Sequence, residues 1–74
     1  MSFVVVDTAD SADVFGTFGE AVRLVGGVLD CMVEDGYRLT YPDVSESAGQ
    51  LYAVTAEYPG SPTRTLQIVR GVDH

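Results

Sequence analysis

Residues 12–35 read Ala-Asp-Val-Phe-Gly-Thr-Phe-Gly-Glu-Ala-Val-Arg-Leu-Val-Gly-Gly-Val-Leu-Asp-Cys-Met-Val-Glu-Asp, and their spacing decides the fold class. Phe15, Phe18, Val22, Val25, Leu29 and Met32 recur at steps of three and four, the repeat that stacks side chains along one face of an α-helix. Val14, Ala21 and Val28 widen that face, while Asp13, Glu20, Arg23, Asp30 and Glu34 fall opposite it. The pattern predicts one long amphipathic helix over 12–35, laid by its apolar stripe on a core. Four glycines, Gly16, Gly19, Gly26 and Gly27, interrupt it, each costing up to about 1 kcal/mol relative to Ala in a helix interior. Two readings accommodate them. Either the helix starts late or kinks at Gly26-Gly27, or small residues there admit a second backbone, with Leu24 and Cys31 beside the contact.

Working outward, Phe3 to Val6 is a β-branched run with no polar alternation, which predicts an interior strand. The Asp7–Asp13 segment reads as a loop and helix start, with Asp10 or Ser11 as the N-cap and Asp13 complementing the helix dipole. Beyond the helix, Gly36 suits the left-handed position that closes it. Tyr37 to Tyr41 alternates as a second strand, Pro42 stops it, and the 43–50 segment is a polar loop. Leu51 to Tyr58 is the third strand. Pro59-Gly60 then predicts a type II turn, and Arg64 to Arg70 the fourth strand. The expected fold is α+β, a single domain over 1–74 in the order β-α-β-β-β. In it the long helix packs on one face of a mostly antiparallel four-stranded sheet, crossing from the first strand in the right-handed sense.

Composition narrows the function classes. The chain carries 11 acidic residues against four arginines and no lysine, for a formal charge of -7. Affinity for nucleic acid comes largely from cationic neutralisation of phosphates, so we expect no direct binding of nucleic acid, and the same argument disfavours an anionic membrane surface. The absence of Lys and Asn and the single Ile68 fit GC-rich coding, with or without the salt-adapted cytoplasm of a halophile. No apolar run approaches the ~20 residues of a membrane span, and the first residues lack a basic n-region, so we expect a cytoplasmic protein.

A chain of 74 residues buries only roughly 60% of its unfolded surface, and small domains commonly compensate with disulfides, metals or partners. One cysteine and one histidine leave partners. The same scarcity argues against catalysis and against any metal or cofactor. A Ser or Cys nucleophile needs a base, and the one imidazole is His74 at the frayed end of the chain. Cys31 reads as a small hydrophobe near the buried stripe. Structural zinc requires several Cys or His ligands. The glycine pairs match no phosphate-binding loop. Glu34 with Asp35, and Asp43 with Glu46, are paired carboxylates of the kind an acidic surface produces anyway. Arg38, Arg64 and Arg70 stand on neighbouring strands where they could hold a small anion.

The strands carry apolar or aromatic residues on both faces, more than one helix covers. We therefore expect a small acidic non-enzymatic protein–protein interaction module, a homodimer or the binder of a protein partner. Its contact is expected at the tyrosine-bearing sheet face (Tyr52, Val54, Tyr58) or the glycine-rich side of the helix beside Leu24, with Glu34 and Asp35 as further candidate interface residues. A second reading is an acidic inhibitor, of the phage-encoded anti-CRISPR or anti-restriction type, that mimics nucleic acid and blocks a basic site; it requires Asp30, Glu34, Asp35 and the 43–46 loop to form one stripe. A third is a small-ligand-binding domain with its pocket between helix and sheet.

Overall fold

A computed structural model describes residues 2–8 and 12–71. It is an α+β fold with one helix packed on one antiparallel sheet. The elements run β1 (Phe3–Asp7), β2 (Asp13–Phe15), α1 (Phe18–Glu34), β3 (Arg38–Thr40), a 3₁₀ turn (Glu46–Ala48), β4 (Gln50–Glu57) and β5 (Arg64–Arg70). The strand order is β2-β1-β5-β4-β3, and every neighbouring pair is antiparallel.

The sheet has five strands where the sequence predicts four, and the extra one comes from the start of the expected helix. Asp13, Val14 and Phe15 pair with β1, setting Phe15 opposite Phe3 and Val14 opposite Val4. Asp10 and Ser11, the expected caps, lie outside the described residues; the cap is Thr17. Its backbone is extended (φ -132°, ψ 152°), and its Oγ1 accepts from the Glu20 N–H at 3.2 Å and donates to the Glu20 carboxylate at 3.0 Å. Thr17-x-x-Glu20 has the sequence of a capping box, with the Glu20 carboxylate held by the Thr17 hydroxyl and not by its backbone N–H, and the Thr17 cap fixes the helix start at Phe18. Asp13 sits in β2 rather than in the first helical turn. From there α1 runs unbroken through Gly26-Gly27. It closes in a Schellman arrangement: Tyr37 N–H donates to Met32 O at 2.9 Å and Gly36 N–H to Val33 O at 3.0 Å, with Gly36 at φ 96°.

The late start also turns the buried stripe. Ala21, Val25, Leu29 and Met32 are buried, with Val28 beside them, whereas Phe18 and Val22 are exposed. Against this stripe the sheet presents Val5, Val54, Ala56, Leu66 and Ile68. Tyr58–Ser61 forms the expected turn, with Gly60 at φ 81° and Ser61 N–H donating to Tyr58 O at 3.1 Å. Both outermost strands, β2 and β3, run in the same direction, so α1 connects one edge of the sheet to the other. The crossing departs from β2, not from β1 as expected.

Gly26 and Gly27 lie inside α1, and a Cβ built at either meets no atom within 4 Å. Gly26→Ala and Gly27→Ala should each raise stability by up to about 1 kcal/mol, which for a domain of this size is an increase in Tm of about 4–8 °C per kcal/mol. Thermal denaturation at low protein concentration checks this; no gain at either position would mean that the helix already has those positions occupied in solution.

Candidate interaction surfaces

Five strands spaced at about 4.8 Å make a sheet roughly 20 Å across, whereas a helix with its side chains is about 10 Å wide. The helix rests chiefly on β1, β2 and β5. The part of the same face built by β3 and β4 carries aromatic side chains instead. Tyr37 and Tyr58 pack at 5.3 Å between ring centroids, and Tyr41 and Tyr52 at 6.3 Å in an edge-to-face contact. Each pair joins a residue at one end of β3 to one on or just beyond β4, so the two pairs flank Leu39 and Ala56, which sit opposite each other. Tyr41 is 62% exposed and Tyr58 42%, while Tyr37, Leu39 and Tyr52 are half-buried against the core.

Between this strip and the helix lies a groove of about 450 Å³. Leu24, Gly27, Val28, Cys31 and Met32 line it from α1, Tyr37 and Arg64 from the sheet side, and Arg23 and Asp35 also border it. Leu24 is 37% exposed, and Cys31 is exposed too, although the sequence reads it as a core hydrophobe. The stripe that starts at Ala21 leaves position 31 on the flank. At the groove, Arg64 Nη2 pairs with Asp7 Oδ2 at 2.5 Å, tying the start of β5 to the end of β1.

A second surface is the opposite face of the sheet, which no helix among the described residues covers. Val14, Val4 and Val69 stand in a row across β2, β1 and β5, joined by direct register. Val6 follows along β1, and Leu51 extends the patch along β4 at the slip of register between Gln50 and Tyr52, while Ala53 beside it is buried. The rest of the face is polar but mostly uncharged. Gln50 Nε2 donates to Gln67 Oε1 at 2.9 Å, and Thr65, Thr55 and Thr40 lie opposite one another in sequence. Arg38 and Glu57 face each other at one corner.

These placements revise several expectations. Tyr52 and Val54 stand on the face that α1 covers, and Val54 is wholly buried, so it belongs to the core and not to an open surface. Tyr58 remains at the margin of that face. Leu24 and Asp35 meet at the groove, whereas Glu34 is exposed and is not among its lining residues. The acidic residues do not gather: Asp35 lies beside Gly36, which contacts Tyr58 beyond the end of β4, while the 43–46 loop leads to Gly49 at its start. An eight-residue strand, roughly 25 Å long, separates them. The arginines are apart as well, since Arg64 and Arg70 end the same strand about 20 Å from each other and Arg38 projects from the opposite face. His74 lies outside the described residues. Among the described residues no group of three or more His, Cys, Asp or Glu is placed to hold a metal, and no helix is long and apolar enough to cross a membrane.

No family model matches the chain, and no curated protein or solved structure matches it.

Burial lifts the Tyr52 phenol above its ordinary value of 10.0, and the charge of neighbouring Tyr41 and a hydrogen bond with it add to the shift. The unfolded phenol ionises near 10, so above that pH the unfolded chain gives up a proton that the folded chain keeps. This contribution to stability is intact below pH 10 and is lost as pH rises through the folded-state value. Urea midpoints should therefore fall more steeply above about pH 10 in the parent protein than in Tyr52→Phe; parallel curves would show that Tyr52 ionises as freely folded as unfolded.

Proposed function

We propose that this chain is a non-enzymatic protein–protein interaction module, and that the groove between α1 and the tyrosine strip is its working surface. The observation that carries this reading is the half-covered face. A second helix laid beside α1 at the usual 8–10 Å would rest on β3 and β4 and complete the layer. The occupant is an amphipathic helix of a partner, its apolar stripe against Leu24, Val28 and Tyr37 and its outer face basic. Recognition of that kind is carried by apolar anchors at helical spacing. Tyrosine suits the receiving wall because each ring offers a large rigid apolar body and a polar tip. The formal charge of -7 favours a cationic partner by steering its approach.

Several features support a binding role over catalysis and over nucleic-acid mimicry. The one imidazole in the sequence is the last residue, His74, and Cys31 lies in the groove without a histidine among the lining residues. The inhibitor reading needs a continuous acidic stripe, and Asp35 and the 43–46 loop lie at opposite ends of β4.

Affinity capture with the parent chain and with Leu24→Glu and Tyr58→Ala provides the test. A charge on the exposed helix flank or a truncated ring at the strand margin leaves the core intact, which circular dichroism verifies. A genuine partner should be recovered by the parent, lost at least tenfold with either variant, and bound more slowly as salt rises. If everything the parent captures is held equally by both variants, the groove is not the binding surface.

A further inference from the structure

The uncovered sheet face points to a second, separate contact. We propose that it is a homodimer interface, in which two copies pack sheet against sheet about a two-fold axis. The inference does not depend on the groove or on what occupies it.

Charge distribution selects a second copy as the occupant. One residue in five of this chain is charged, and acids outnumber bases by 11 to four. Yet Val4, Val6, Val14, Leu51, Val69 and the glutamines and threonines around them carry no charge, and the corner pair Arg38 and Glu57 cancels. A basic partner would find nothing here to bind. A copy with a charge of -7 would be repelled by any acidic face, and among the described residues this is the face from which net charge is missing. Self-complementarity is also built in, because a two-fold contact brings the same patch from both sides, and a row of β-branched side chains can interdigitate with itself.

Area sets the expected strength. Five strands give a width of about 20 Å and the strands a length of about 20 Å, so the footprint is on the order of 400–500 Å² per copy. Two such faces approach the ~1,000 Å² at which specific interfaces begin. The dimer should therefore be concentration-dependent rather than obligate. Val14 is 67% exposed at the edge strand, an arrangement that leaves a bare β-branched side chain in water unless a second surface covers it.

Salt gives this dimer a signature. Two like-charged chains repel at low ionic strength, where the Debye length is about 30 Å at 0.01 M, and much less at 1 M, where it is about 3 Å. Sedimentation equilibrium of the purified chain should show mass rising with concentration toward twice 7.9 kDa, with several-fold tighter association at about 1 M salt than at about 0.01 M. Val14→Asp should abolish the rise. Thr55→Asp, a polar-to-charged change on the same face, is a second variant should the first fail to fold. Isotope-filtered NOE spectra on a mixed labelled sample should connect Val4, Val14 and Val69 methyl groups across copies. A monomer at both salts, association that weakens with salt, or undiminished association in both folded variants would overturn the proposal. So would cross-copy NOEs confined to Leu24, Tyr41 and Tyr58, which would place the contact at the groove instead.

Discussion

A single helix has to cover a sheet twice its width, and most of what is distinctive in this structure follows from that mismatch. The helix takes the β2-β1-β5 half of one face, where Val5, Leu66 and Ile68 meet Ala21, Val25, Leu29 and Met32. The β3-β4 half carries four tyrosines instead, in one tilted and one edge-to-face pair. Their rings shield Leu39 and Ala56 at little entropic cost and leave hydroxyls for water. The opposite face has no cover among the described residues. Small domains bury a lower fraction of their surface, so the open surfaces among the described residues are consequences of size as well as candidates for function.

The local chemistry that limits the helix is what widens the sheet. Thr17 caps the helix through the Glu20 N–H, which commits Phe18 to the first turn and releases Asp13–Phe15 to pair with β1. Had the helix begun at residue 12, Phe15 would have packed as part of its stripe and Val4 would have been an edge residue. Instead β1 is flanked on both sides, which matches its unbroken run of Phe3, Val4, Val5 and Val6.

The fold was legible in the sequence to the extent that period and turn chemistry are local. The alternation of Leu51–Tyr58, the Pro59-Gly60 turn and the Gly36 closure all read correctly, because each depends on residues within a few positions. The helix start did not. Phe15 and Phe18 match a helical repeat as well as they match a strand end and a first turn, and Thr17-x-x-Glu20 was the signal that separates the two. The surfaces were harder still. Sequence pattern divides a strand into two faces but does not say which one a helix will cover, so Tyr52 and Val54 fell on the covered side and the uncharged row Val14–Val4–Val69 went unread. That row exists through pairing across three strands, in which Val69 lies 55 positions from Val14 and 65 from Val4. Cys31 is the converse case: the stripe through Ala21, Val25, Leu29 and Met32 leaves position 31 on the exposed flank of the helix.

The two open surfaces lie on opposite faces of one sheet, and this geometry has a consequence for any assembly. Closing two copies through the valine face leaves both grooves pointing outward, on opposite sides of the pair. Neither contact competes with the other for residues, since Leu24, Val28 and Tyr37 are separated from Val4, Val14 and Val69 by the thickness of the sheet. Such a pair is bivalent, and two weak groove contacts on one partner assembly gain from the high effective concentration of the second site once the first is filled. Affinity that a groove of about 450 Å³ could not supply alone becomes available through pairing. Opposite salt dependences would then coexist in one molecule: screening favours the pairing of like-charged copies while it slows the approach of a cationic partner. Assembly with a partner would accordingly be strongest at intermediate ionic strength, where neither penalty dominates.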